Sequence, residues 1–322
     1  MGINNILLIG AGKIAGGYDN PKSNKVLTHL GAINRIKSNK VLIDIVEPNY
    51  QNYYLIKNKW NLKGEYYSSI KDASHKKKYD VILITCNTKY HLENIRYISE
   101  NIQCKLIICE KPCCNPFDEI SLIRNICSSK GISLYINYQR RLINEWKNIK
   151  QSISSGIMGS LESGNIYYSK GLINNCSHAI NLLYFIFDKK YISIQNIYKH
   201  IYDYSTEDPT LTFALNINNK QVNFIGLNDQ NFSIFEIDLI FQKERIKCID
   251  SGTVIERYQL SEDKIYKGYK SLNFVKSNNC DKEPFLNLWQ IIESEELNKL
   301  EDIKVDYAVE TYNLIDELIS KC

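Results

Sequence analysis

A chain of 322 residues, 24% charged and 44% hydrophobic, has the make-up of a soluble globular protein with about two domains. Its formal net charge of +4 is too small for a nucleic-acid binder but suits an anionic small ligand. Neither an apolar run of the roughly 20 residues that span a bilayer, nor a basic leader, nor disulfide spacing among its ten cysteines is visible, so a reducing cytoplasm is the expected setting.

The first third alternates strand-like and helix-like segments. Ile3–Ile9 is an apolar run of strand length that leads directly into Gly10-Ala11-Gly12-Lys13-Ile14-Ala15. Glycines there let the backbone turn tightly and approach a phosphate, and the small Ala15 lets a helix pack closely on the strand. A helix opening at Lys13 and Ile14 offers its amides and the positive end of its dipole. This G-x-G-x-x-A pattern between strand and helix predicts a dinucleotide site. Between Gly17 and Lys25 the residues read as an inserted loop, with Pro21 and asparagines as turn formers. Val41–Val46 is the next strand, and Glu47 ends it. A carboxylate at that place can accept both hydroxyls of an adenosine ribose and repel a 2′-phosphate. No arginine adjoins it, so NAD is expected over NADP.

The run Lys76-Lys77-Lys78 reads as a solvated turn before the strand Val81–Thr85. Thr85-Cys86-Asn87 then brings hydroxyl and amide groups under the nicotinamide ribose. His91 opens the helix His91–Glu100 beside them, on the cofactor side and without a catalytic role. Lys105–Cys109 stops on Glu110-Lys111-Pro112, which puts Glu110 and the charged Lys111 at the carboxyl end of a parallel strand. Open α/β sheets bind their ligands at that edge. Cys109, Cys113 and Cys114 lack a second ligand pair at zinc-like spacing, so no metal is expected. A helix over Phe117–Ser129 and a strand over Ser133–Ile136 follow. Strands apolar on both faces and separated by helices imply a doubly wound parallel sheet of Rossmann type, assigned to residues 1–118.

After about residue 150 the texture changes. Gly164–Ser169, Ile192–Tyr202, Thr210–Ile217, Gln221–Leu227, Ser233–Phe241, Arg245–Ile249 and Val254–Leu260 are short, β-branched and aromatic, with a hairpin-like turn at Asn218–Asn219. Successive strands without helices predict a large open, mostly antiparallel sheet. Two amphipathic helices, Glu283–Leu297 and Val305–Ile319, close an α+β domain assigned to residues 119–322. An exposed sheet face would favour a homodimer or homotetramer.

These motifs resemble, nearly over the full length and in order, the glucose-fructose oxidoreductase / inositol dehydrogenase / rhizopine catabolism (Gfo/Idh/MocA) family. The likeness runs through ILLIGAGKIA, the DVILIT…H stretch, CEKP, and NYQRRL at Asn137–Leu142. It continues in SGIMGS at Ser155–Ser160, GLINNCSHAIN at Gly171–Asn181 and DPTLTFAL at Asp208–Leu215. It implies the two-domain fold, a bound nicotinamide cofactor, and oxidation or reduction of a carbinol on a sugar or cyclitol. By the same resemblance Lys111, Asn174 and His178 surround the reacting carbon. Asn174 stands where many members carry aspartate; some members acting on nucleotide-linked amino-uronic sugars resemble this chain in carrying asparagine there. Asn181 and Cys176 likewise depart from the common pattern.

The residue chemistry is coherent with those roles. Oxidation of an alcohol needs a base for the hydroxyl proton, which the imidazole of His178 suits. Lys111 can donate to the same oxygen, while Asn174 can orient a substrate but cannot relay a proton. Arg141 is a candidate for a substrate or cofactor anion, the alternative being a surface ion pair. The expectation is a cytoplasmic NAD(H)-dependent oxidoreductase acting on a small carbohydrate, an activated or acidic sugar of surface-glycan synthesis. The alternatives are a catalytically silent NAD-binding regulator and a reductase of a non-sugar substrate.

Overall fold

Strands made of unbroken apolar runs cannot face water, and the first sheet covers them on both sides. The computed structural model describes residues 3–36, 41–74, 78–114 and 119–322. Along the chain come β1 (Asn5–Ile9), α1 (His29–Ile36), β2 (Leu42–Val46), α2 (Tyr50–Trp60), β3 (Tyr66–Tyr67), α3 (Ile70–Ser74), β4 (Tyr79–Ile84), α4 (His91–Asn101), β5 (Cys104–Cys109), α5 (Ile120–Ser129) and β6 (Ser133–Ile136). Their strands are all parallel, in the order β3-β2-β1-β4-β5-β6. Leu7, Leu8, Ile82, Leu83, Ile107 and Ile108 are fully buried in consecutive pairs, so both sheet faces are covered. Chain order reverses between β1 and β4, which makes their carboxyl ends the switch point where such sheets bind ligands.

A second sheet follows. After α6 (Asn144–Ser154) come β7 (Leu161–Tyr168), α7 (Ser177–Ile186), β8 (Ile192–Ser205), β9 (Asp208–Ile217), β10 (Lys220–Gly226), β11 (Phe235–Phe241), β12 (Glu244–Ile249), β13 (Val254–Glu262) and β14 (Lys270–Asn279). The helices α8 (Glu283–Glu293) and α9 (Val305–Ser320) close the chain. The order is β14-β13-β12-β11-β7-β10-β9-β8, antiparallel except for the β7–β10 pair. Asn218 and Asn219 both take positive φ, 53° and 63°, in the tight β9–β10 turn, as a type I′ hairpin requires. Along β7 buried and part-exposed residues alternate, the mark of a sheet with one covered face. Every residue of α7 is buried.

The chain forms two units, Met1–Leu142 with Lys282–Val309, and Ile143–Asp281 with Glu310–Cys322. The boundary read after residue 118, the lysine run apart from Lys78, and the start of the helix read at Phe117 lie outside the described residues. One correction concerns α8, read from the sequence as part of the second domain. Its Phe285, Leu288, Trp289 and Ile292 share one hydrophobic core with Ile6, Leu8, Leu30 and Ile33, so it belongs to the first unit. Among the described residues no helix is long and apolar enough to cross a membrane.

Candidate active site

The loop after β1 shows why glycine is needed twice, for different reasons. Gly10 has φ +95°, and a Cβ there would lie 2.6 Å from both Cα and N of Cys86. Gly12 has an ordinary φ of −87°, and a Cβ there would meet nothing within 4 Å. The first glycine lets β1 and the segment after β4 pass closely; the second leaves open space beside the loop, as an approaching pyrophosphate needs. The helix expected to open at Lys13 and Ile14 is a single π-type turn, Lys13–Gly17, and the first α-helix begins only at His29. One turn sums few peptide dipoles, so the loop offers backbone amides rather than a macrodipole. Ala15 is buried, as close packing demands. Gly16, which the sequence reading passed over, is equally constrained: its carbonyl accepts from Trp60 Nε1 and Lys59 Nζ, each at 2.9 Å.

Glu47, at the end of β2, reaches this loop. Its Oε2 accepts the amide of Ala11 at 2.8 Å and its Oε1 the amide of Asn49 at 3.0 Å. Each carboxylate oxygen can accept a further bond, so capacity for ribose hydroxyls remains. Thr85 Oγ1 donates to the carbonyl of Gly10 at 2.7 Å, tying the ends of β1 and β4 together. Cys86 is half-buried, and Asn87 caps the short turn that precedes α4.

At the end of β5 stand Glu110 and the half-buried Lys111. Glu110 faces inward, its Oε1 accepting from Asn137 Nδ2 at 2.6 Å and from His29 Nε2 at 2.8 Å. Burial opposes its charge. The bonds from His29 and Asn137 and the Lys111 ammonium outweigh that and hold its carboxyl below its ordinary value. Gly10, Gly12, Glu47, Thr85, Cys86, Asn87 and Lys111 therefore gather at the carboxyl edge of one sheet. Open space at Gly12 and an acidic end to β2 fit a nicotinamide dinucleotide.

Three of the expected site residues meet partners within the protein. His91 has both ring nitrogens engaged, Nδ1 with the Pro112 carbonyl at 3.0 Å and Nε2 with the Cys86 carbonyl at 2.9 Å. An imidazole has one in-plane site per nitrogen, so no ring nitrogen is left for a cofactor. Its role is to pin the loop after β5 to the loop after β4. Arg141 is fully buried; its Nη1 donates to the Asp302 carbonyl at 3.1 Å, and its guanidinium lies 4.2 Å from the centre of the Tyr307 ring. Its guanidinium is thus engaged within the first unit rather than presented at the surface. Glu110 likewise touches His29 and Asn137 instead of offering an open cofactor contact.

The second unit holds Asn174 and His178. Asn174 lies in a π-type turn, Leu172–Cys176, that runs directly into α7. The turn is fastened to β9: Asp208 accepts the amides of Ile173 at 2.7 Å and Asn174 at 2.9 Å, and Thr210 Oγ1 accepts the amide of Gly171 at 2.8 Å. Asn174 Nδ2 donates to the Lys170 carbonyl at 3.2 Å. His178 is the second residue of α7 and is buried, its ring edge-on to Phe235 at 6.4 Å. Sequence reasoning missed Asp208, His29, Asn137 and Trp289, because each acts through a partner far along the chain. His29 and Glu110 are 81 residues apart, and nothing local marks such a pair.

Residues 4–138 match the model of the oxidoreductase family with an NAD-binding Rossmann fold (GFO_IDH_MocA). No curated protein matches the sequence. Solved structures similar to this chain include a super-repressor mutant of Gal80p from Saccharomyces cerevisiae. It is 14% identical with a TM-score of 0.74, over 99% of this chain and 95% of that one. The WlbA dehydrogenase from Bordetella pertussis, in complex with NADH and UDP-GlcNAcA, is 13% identical with a TM-score of 0.74, over 99% and 95%. KijD10, a 3-ketoreductase from Actinomadura kijaniata in complex with NADP, is 9% identical with a TM-score of 0.73, over 99% and 97%. At these identities the likeness is one of fold.

Proposed function

We propose that this chain, whose residues 4–138 match the model of the oxidoreductase family with an NAD-binding Rossmann fold, is an NAD(P)-dependent oxidoreductase that exchanges a hydride with a carbinol or keto carbon of a sugar derivative. The nicotinamide ring, when bound, supplies or takes the hydride. Gly12, Lys13 and Ile14 hold its pyrophosphate on a loop that Gly10 and Ala15 let pack closely, Glu47 its adenosine ribose, and Thr85, Cys86 and Asn87 its nicotinamide side. Glu47 favours NAD over NADP, since a carboxylate beside a 2′-phosphate is repulsive. Lys111 donates to the substrate oxygen and stabilises developing negative charge, while His178 takes the hydroxyl proton in oxidation and returns it in reduction. Asn174 orients the substrate.

The observation that carries this reading is the placement of a lysine, Lys111, at the end of β5 on the same sheet edge as the glycine loop and Glu47. The substrate class is an activated or acidic sugar of surface-glycan synthesis. A neutral amide at Asn174 tolerates a substrate anion better than aspartate would. The structures of WlbA with UDP-GlcNAcA and of the 3-ketoreductase KijD10 lend support by shared fold. The likeness to a Gal80p super-repressor favours a second reading, a silent NAD-binding regulator. Exposed aromatic residues on β8 and β14, such as Tyr198, Tyr202 and Phe274, favour a homodimer or homotetramer.

A substrate panel tests the proposal. NAD reduction, and NADH oxidation with keto forms, are followed with free hexoses, inositols, nucleotide-linked sugars and nonulosonic acids. Turnover confined to activated or acidic sugars is the expected result. Efficient turnover of inositol or free glucose alone overturns the substrate class, and no turnover with any member of the panel favours the regulator.

A further inference from the structure

The turn over Lys13–Gly17 stops before it can support itself. The amide of Gly16 donates to the Gly12 carbonyl at 3.3 Å and that of Tyr18 to the Lys13 carbonyl at 3.2 Å, both long bonds. No further helical turn follows until His29. The last carbonyls of a helical turn need partners from elsewhere when the helix does not continue. Here α2 supplies them. Trp60 Nε1 donates to the Gly16 carbonyl at 2.9 Å, and Lys59 Nζ donates to that carbonyl at 2.9 Å and to the Gly17 carbonyl at 3.1 Å. A cation is also favoured electrostatically at the carbonyl end of such a turn.

The contact is built for these residues. A Cβ on Gly16 would lie 2.5 Å from Trp60 Nε1 and 2.7 Å from Leu30 Cδ1, so only glycine admits the indole there. Trp60 is buried in the same core as Ala15 and Leu30. The front of the loop is tied to the same stretch of chain. Glu47 Oε2 accepts the amide of Ala11 at 2.8 Å and its Oε1 the amide of Asn49 at 3.0 Å, and Asn49 caps α2 by accepting the amide of Gln51 at 2.9 Å. Residues 11–17 are thus gripped at both ends by residues 47–60. Gly12, with open space beside it, lies between the grips.

We propose that Lys59 and Trp60 are positioning residues for the dinucleotide: by holding the carbonyls of Gly16 and Gly17 they do what a continuing helix would do, and keep the loop amides aimed at the pyrophosphate. A loop already held in its binding shape loses less freedom when the ligand arrives. Releasing it therefore weakens ligands that carry a pyrophosphate and spares those that do not. The role rests on the reading of the glycine loop as the pyrophosphate site.

Binding of ADP, adenosine and NADH to the full-length protein is measured by calorimetric titration, alongside hydrogen exchange of residues 11–18 in the ligand-free protein. Trp60→Phe and Lys59→Met should each raise the Kd for ADP and NADH about fivefold, the scale of one lost hydrogen bond, and leave adenosine within about twofold. Exchange in the loop should quicken in both. Lys59→Arg keeps a cationic donor and should restore the affinity for ADP. Gly16→Ala, which displaces the indole, should match Trp60→Phe. ADP and NADH affinities equal to wild type in both variants overturn the proposal, whether or not exchange quickens. An equal loss for adenosine and ADP also overturns it, since that marks a general loosening. If Trp60→Phe does not fold, the half-buried Lys59 carries the test through Lys59→Met and Lys59→Arg. Gly12→Ala separates the two readings. Undiminished NADH binding in that variant rejects the pyrophosphate site itself, whereas weaker binding there with unchanged binding in Trp60→Phe and Lys59→Met rejects the role of α2 alone.

Discussion

Asp208, the first residue of β9, accepts the main-chain N–H of Asn174 at 2.9 Å, and so fixes the turn that feeds the proposed substrate residues into α7. It takes the N–H of Ile173 at 2.7 Å as well. Both donors are local in the turn, while their acceptor comes from a strand 34 and 35 residues away.

Loss of that carboxylate should loosen the turn before it disturbs either sheet. Asp208→Ala leaves two amides without their charged acceptor, each worth about 1.5–3 kcal/mol. Denaturant unfolding should show a loss of about 3 kcal/mol, and turnover should fall with NADH affinity unchanged. An unaltered denaturation midpoint would show that water or another group replaces Asp208.

The two loop glycines should respond in opposite ways. Gly10→Ala places a methyl against the Cys86 backbone at a positive φ and should lower stability by about 2 kcal/mol or more. Gly12→Ala has room and an ordinary φ, so stability should hold to about 0.5 kcal/mol while NADH affinity falls about tenfold or more. Calorimetric melting and fluorescence titration separate the two effects. Undiminished NADH binding by Gly12→Ala would mean that the pyrophosphate lies elsewhere.

Lys111→Ala and His178→Ala should each lower turnover by roughly 100-fold or more, with NAD affinity nearly intact. Steady-state kinetics on the substrate found by the panel is the measurement. Near-normal turnover in either variant removes that residue from the mechanism.

Cofactor choice should follow Glu47. Wild type should bind NADH more tightly than NADPH, and Glu47→Ser should narrow or abolish the difference, a change of about tenfold in the affinity ratio. Because Glu47 also accepts the amide of Ala11, the variant should bind NADH less well too. Tighter NADPH binding by the wild type would reject the role of Glu47.

His91 gives a dependence on pH. Burial disfavours its charge, but its interactions with Cys86 and with the Pro112 carbonyl prevail and raise its pKa above the ordinary histidine value. A histidine raised in this way stabilises the fold fully below its unfolded pKa of about 6.5 and loses that contribution as pH rises through the folded value. Wild type should therefore lose stability from pH 6 to pH 9 relative to His91→Gln. Parallel melting curves for the two proteins across that range would show that His91 is neutral throughout.

Much of the first sheet was legible because its strands carry their own signal. Ser133–Ile136 needs no partner to be read as a strand, and β1, β2, β4 and β5 differ from their expected limits by only a few residues. Tyr50–Trp60 and Lys270–Asn279 were not read. In α2 only Tyr53, Ile56 and Trp60 face the core, and β14 is an exposed edge strand without a buried face, so neither shows a clear period.

The candidate site divides along the same line. By itself the sequence determined the groups whose chemistry is local: the glycine loop, the acid ending β2, and the lysine ending β5. Each follows from its position at a strand end, and strand ends are set by short-range pattern. Only tertiary structure decided what each charged or polar side chain faces. It turned Arg141 and His91 inward, gave Glu110 to His29, brought Trp289 from the far end of the chain onto His29, and set Asp208 under Asn174. The physical reason is that burial makes a polar group take whatever partner the packing supplies. That partner is chosen by the folding of distant segments, on which the residues flanking the group carry no information.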